Sequence, residues 1–141
     1  MKRLRSSICV GAGLAIFLAG ISVKAHHAFS AEFDAEKPMK MEGTITKMEW
    51  VSPHAWLHID AQGPDGKIVA WVVELGAPNA LYRRGWRQEM LPAGGKVTVA
   101  GFQARNGALM VYGRDIIMAD GRKLFAGSAG TGAPADSDSG K

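Results

Sequence analysis

The chain has 141 residues and a single cysteine, Cys9, which sits in an apolar run near the N-terminus. Everything after it is cysteine-free. A body without cysteine has no disulfide, no thiolate metal ligand and no cysteine nucleophile, so packing alone must hold it. The chain also lacks a phosphate-binding glycine loop, a CxxC pair and any spacing that suggests a Ser–His–Asp arrangement. No apolar run reaches the ~20 residues that a membrane-spanning helix requires. Histidine is scarce, with four in all: His26, His27, His54 and His58.

What is present begins with a leader. Lys2, Arg3 and Arg5 precede an apolar run over residues 8–21, and Val23-Lys24-Ala25 ends it with an acceptable cleavage site. This pattern predicts a secretory signal peptide over residues 1–25 and a periplasmic or secreted product that leaves the membrane on cleavage. The chain as a whole carries 17 Lys and Arg against 13 Asp and Glu. Lys2, Arg3, Arg5 and Lys24 belong to the leader, so the remaining basic residues equal the acidic ones in number. A neutral mature chain offers no net positive field for a polyanion, which argues against nucleic-acid binding.

Residues 126–141 are small, polar and Gly-rich, the composition of a disordered tail. Between the two ends the periodicity is that of strands. Residues 39–51 follow Pro38 and are rich in strand formers, with Gly43 marking a bend. Residues 55–61 alternate, with Ala55, Leu57 and Ile59 on one face and Trp56, His58 and Asp60 on the other. Gly63-Pro64-Asp65-Gly66 turns the chain into residues 67–75, an apolar stretch that reads as a strand covered on both faces. Asn79 is a candidate N-cap for a short helix ending at Gly85. Residues 96–103 and 108–118 then form a hairpin about Arg105-Asn106-Gly107. The expected domain spans residues 39–125 behind an N-terminal arm, residues 26–38. It is mainly β, a small five-stranded OB-like barrel with one short helix between strands three and four. A small open β-sandwich is the alternative. The expected core is Leu57, Ile59, Trp71, Val73, Leu75, Leu81, Val97, Val99 and Val111, and Phe29 and Phe33 should pin the arm to the barrel.

Several joints of the chain carry a family likeness. They are His26-His27-Ala28-Phe29-Ser30-Ala31-Glu32-Phe33-Asp34, Pro53-His54-Ala55-Trp56, Glu74-Leu75-Gly76, Pro78-Asn79-Ala80-Leu81, Arg83-Arg84-Gly85-Trp86 and Asp120-Gly121-Arg122-Lys123-Leu124-Phe125-Ala126-Gly127. In these the chain resembles an uncharacterised family of exported bacterial proteins, the domain of unknown function 6152 family. The resemblance implies a whole family unit and brings no agreed activity with it.

The chemistry must therefore come from the residues. Cleavage after Ala25 makes His26 the first residue, with its free amine and Nδ1 a few bonds apart. An α-amino group titrates near pH 8, low enough to ligate a metal close to neutrality. One more imidazole gives a three-nitrogen set suited to Cu(II), since affinity in the first-row series rises to copper. His26, His27, His54 and His58 are the candidate ligands, with His54 the preferred partner. His54 and His58 are about 13 Å apart along a strand, too far to share an ion easily. A second set, Arg83, Arg84, Trp86 and Arg87 with Tyr82, is basic and aromatic, and Trp56 and Glu74 add to it as residues that could hold a protein or glycan. Glu74, at the end of an apolar strand, needs a partner and is expected to find it in one of these arginines. The sequence reading is a small exported, non-enzymatic binding protein that takes copper through His26. An interaction module for an unidentified periplasmic protein or small ligand stands second, and a copper oxidase third.

Overall fold

The computed structural model describes residues 29–127. The leader, the expected tail from residue 128 onward, and both His26 and His27 lie outside them. Among the described residues no helix is long and apolar enough to cross a membrane.

The chain is mainly β and forms one six-stranded sheet: β1 (Phe33–Glu49), β2 (Trp56–Gln62), β3 (Ile68–Glu74), β4 (Lys96–Ala104), β5 (Met110–Met118) and β6 (Lys123–Phe125). Strand order is β3-β2-β1-β4-β5-β6, with a further parallel pairing of Val72–Glu74 against Met110–Tyr112. The long β1 makes this possible. Its first part pairs with β4 and its last part with β2, and the register shifts on both ladders bend it. The sheet thus curls until its third strand meets its fifth.

The strands match the expected segments with three differences. β1 begins at Phe33 rather than after Pro38, and Pro38 lies beside a register shift where a missing N–H does little harm. Residues 29–32 before it are helical, so the stretch expected as an arm is structured from Phe29 onward. β6 was not expected at all. It pairs three residues with β5, and behind it Ala126 and Gly127, expected at the start of the tail, are buried and hydrogen-bonded. β3 is not covered on both faces: Ile68 is 65% exposed and only its C-terminal end is buried.

The helix α1 (Pro78–Arg83) stands between β3 and β4 as expected. Its N-cap is Ala77, not Asn79, with Pro78 in the first turn where its missing N–H costs nothing. A single 3-10 turn (Gln88–Met90) follows. The core comprises Leu57, Ile59, Val73, Leu75, Leu81, Val97, Val99 and Val111, as the alternation predicts, together with Ile45, Trp86, Leu91 and Ile116. Trp71 is only partly buried and packs against this core from its edge. A second, separate cluster joins Phe29, Phe33, Phe102, Ala104 and Tyr112. Phe29 and Phe33 thereby pin the N-terminal turn to β4 and β5.

Candidate functional site

Directly opposed residues in a sheet project to the same face. Following the register sideways, Trp56 on β2 opposes Glu74 on β3, Glu74 opposes Tyr112 on β5, and Tyr112 opposes Phe102 on β4. This row crosses four strands on one face. Phe29 closes its far end, with its ring 5.1 Å from Tyr112 and 5.5 Å from Phe102, both edge-on. Arg105 fixes the turn that carries Phe29, since its Nε donates to Ser30 O at 2.7 Å and Phe33 O at 3.0 Å.

His54 sits at the near end of the row, two residues before β2. Its ring lies 6.4 Å from that of Trp56. Its Nδ1 is 2.5 Å from Glu74 Oε1. The carboxylate can only accept, so Nδ1 carries the proton in the neutral imidazole and Nε2 is left with a lone pair. The two partners differ in exposure: the His54 side chain is 38% accessible and that of Glu74 only 8%. The buried member thus holds the ring of the more exposed one through Nδ1. Glu74 finds its partner in His54, and the arginine expected for that role lies elsewhere.

Burial pushes the Glu74 carboxyl above the usual carboxylate range; His54 draws it back, and Glu32, on the N-terminal turn, adds like-charge repulsion. A carboxyl whose pKa rises on folding keeps its proton longer in the folded state. Its contribution is fully present below the unfolded pKa of about 4.3 and is lost as the pH climbs through the raised value. Glu74→Gln keeps an acceptor for Nδ1–H and cannot ionise. Its melting temperature should therefore rise relative to that of the unsubstituted protein as the pH climbs above about 4.3. Parallel thermal melts from that pH upward check this, and a constant offset would contradict it.

His58 belongs to a different arrangement. Its Nε2 is 3.0 Å from Glu49 Oε1, which also takes the Lys47 ammonium at 2.6 Å. The Lys47 hydrogen bond, followed by weaker contributions including His58, holds the Glu49 carboxyl below its usual value, against some desolvation. His54 and His58 thus engage carboxylates on opposite neighbours of β2, Glu74 on β3 and Glu49 on β1, and the structure does not bring them together.

The basic and aromatic set divides as well. Trp86 is fully buried, and its Nε1 donates to Phe125 O at 3.1 Å. Arg84 donates to Gly127 O at 2.6 Å and lies over the Phe125 ring at 4.9 Å. Both fasten the end of the described chain to the body. Arg87 stacks on Tyr82 at 3.9 Å and donates to Tyr82 O and Trp86 O. Only Tyr82, Arg83 and Arg87 of this set remain exposed. The sequence places Arg105 only in a hairpin turn and gives Phe102 and Tyr112 no role. The signal was weak, since their contacts join stretches more than seventy residues apart.

Fold and site together define a small, mainly β protein with a half-exposed histidine held by a buried glutamate. The sequence model described as "Family of unknown function (DUF6152)" matches residues 15–112, and the chain belongs to that family. No curated protein matches it, and no solved structure does. Among the described residues no three His, Cys, Asp or Glu side chains are grouped so as to hold a metal ion.

Proposed function

We propose that this is an exported, non-enzymatic protein, an OB-like barrel that binds copper(II) between the mature N-terminus and His54. The barrel reading rests on the circuit of pairings β1-β2-β3-β5-β4-β1, with α1 between β3 and β4. The observation that carries the copper reading is the His54–Glu74 pair. Metal-ligating imidazoles commonly donate their second ring N–H to a carboxylate, which fixes the tautomer and raises ligand basicity. Here Glu74 takes Nδ1–H, which leaves the Nε2 lone pair of a half-exposed ring for a metal, at the near end of the row that Phe29 closes. His26 lies three residues before Phe29, a stretch that covers at most about 10 Å. Cleavage after Ala25 supplies an amine and an imidazole there, and His54 supplies the third nitrogen. Either His27 or His26 can provide the second ring; Glu32 and Glu74 add negative charge that favours a cation.

The test starts from exported protein whose first residue is fixed by intact mass. Chains beginning at His26 should bind Cu(II) with nitrogen coordination visible by electron paramagnetic resonance. His54→Ala should remove one nitrogen and weaken binding by more than about 100-fold, beyond the 10–100-fold that loss of a supporting residue costs. A different first residue, or unchanged coordination in His54→Ala, overturns the reading. A second reading, a docking module, is favoured by the exposed Tyr82, 58% accessible beneath the Arg87 guanidinium.

A further inference from the structure

The outer edge of β3 is open along its first half. Parallel pairing with β5 covers only Val72–Glu74, and among the described residues no strand pairs with residues 68–71 on that side. Two hydrogen bonds show which residues present their backbone there. Val72 N–H donates outward to Leu109 O, and Leu75 N–H donates back to Ala55 O. Backbone groups alternate along a strand, so Ile68 and Ala70 share the outward direction of Val72. Their N–H and C=O groups thus form an unpaired ladder.

Natural edges are usually blunted by proline, lysine or a bulge. Ile68-Val69-Ala70-Trp71 has none of these, and its Ile68 side chain is 65% exposed. By contrast, the equally open early part of β1 carries Lys37, Pro38 and Lys40. β6, the other outer strand of the sheet, has only three residues and begins with Lys123, so β3 offers the longer edge suited to receive a strand.

The side chains beside it say what kind of strand. Ala70 opposes Asp60, and Ile68 opposes Gln62. Ala70 is too short to screen Asp60, so a long side chain from an added strand can pass over it. Asp60 lies in a cleft of about 480 Å³ that also contains Glu42, Thr44, Gln62 and Lys96. Lys96 is the cleft's one lining cation, and its ammonium is taken up by Thr44 Oγ1 at 2.6 Å. Asp60 and Glu42 have no cation partner among the described residues. Opposite charges placed in such cross-strand positions stabilise pairing, and like charges oppose it.

We infer that the first half of β3 is a docking edge for an extended peptide segment of a partner protein. That segment pairs its backbone with Ile68 and Ala70, places an apolar side chain against Ile68, and extends a Lys or Arg over Ala70 to Asp60. Strand addition of this kind draws affinity from the main chain and specificity from the alternate side chains. It is independent of the copper site, which lies at the other end of β3.

The probe is a short synthetic peptide of alternating Val and Arg, with a Val–Glu peptide as its control, added to the exported protein. The Val–Arg peptide should slow amide exchange at Ile68 and Ala70. It should bind about ten-fold or more tightly than the Val–Glu peptide, the ratio that ~1.4 kcal/mol corresponds to. Ala70→Pro, which removes one N–H and blocks the ladder, should abolish binding, and Asp60→Asn should remove the preference for Arg while the amides remain protected. Circular dichroism of the variants shows whether each is folded. Ile68→Lys blunts the edge without proline and serves if Ala70→Pro fails to fold. Equal binding of the two peptides, or unprotected amides, overturns the inference. So does concentration-dependent dimerisation that protects the same amides, which would make a second copy the occupant.

Discussion

Trp86→Ala should lower the stability of this protein by about 3–5 kcal/mol, the range for truncating a large buried aromatic. For a domain of about a hundred residues that corresponds to a melting midpoint at least ~12 °C lower. The side chain has no accessible surface and packs in the same core as Leu81 and Leu91. Its loss also strips Phe125 O of the indole donor at 3.1 Å. That bond is one of several by which the body holds the end of the described chain, among them Ala126 N–H and Gly127 N–H to Arg114 O. Others are Arg84 to Gly127 O at 2.6 Å and Gly76 N–H to Ala126 O at 2.7 Å. The substitution should therefore loosen β6 before the rest of the sheet, and amide exchange should show Ala126 opening first. Arg83→Ala, three residues away on the exposed side of α1, is the comparison and should move stability by no more than about 0.5 kcal/mol. Thermal unfolding of the two variants checks the contrast. A Trp86 that served only as a docking surface would leave the melting curve unchanged.

That contrast also marks where the sequence ceased to be readable. The strand alternation of residues 55–61 is legible because one face of β2 is buried and the other is not, so the period of two survives in the residue types. Gly63 to Gly66 and Arg105 to Gly107 are legible because a tight turn demands particular residues. Trp86 is not, because it sits between Gly85 and Arg87 in no periodic element, and three neighbouring arginines suggest a surface. It joins the core that holds Leu81, Leu91 and Ala126 and bonds to Phe125 O, and the chain from Ala126 onward looks like the start of a Gly-rich tail. The site divides in the same way. A carboxylate at the buried end of β3 had to have a partner, and this was evident from Glu74 alone. The identity of the partner depended on where the chain turns before β2, which places His54 rather than an arginine beside it. The aromatic cluster under the N-terminal turn was half legible. Phe29 and Phe33 were expected to pin the chain, while Phe102 and Tyr112 come from a hairpin whose register no local pattern states.

Gly101→Ala should be the most disruptive single-atom addition in the sheet. A Cβ at this position would lie 1.9 Å from Tyr112 O, and only 2.9 Å from the Tyr112 carbonyl carbon. Both obstacles are backbone, so no side-chain rotation relieves them. β4 and β5 would have to separate at the register shift between Ala100 and Gly101, where Gly101 opposes Gly113 and Phe102 opposes Tyr112. Overpacking a well-ordered interior costs about 1–3 kcal/mol even where side chains can yield, and this contact exceeds that case. The expected loss is thus at least ~3 kcal/mol. The position also couples fold to site. Phe102 and Tyr112 are the two rings against which Phe29 packs edge-on, and Tyr112 is next to Glu74 in the row that leads to His54. Displacing them should release the N-terminal turn, so under the proposed copper site a Gly101→Ala protein that still folds should also bind Cu(II) more weakly. Gly85→Ala separates space from backbone strain. Gly85 has φ +90 with nothing within 4 Å of the added carbon, so only the conformational penalty of about 1–2 kcal/mol applies. Denaturant titration of both variants, with copper affinity measured on each, distinguishes the outcomes. Equal losses at the two positions would mean that β4 and β5 part more easily than their close approach implies.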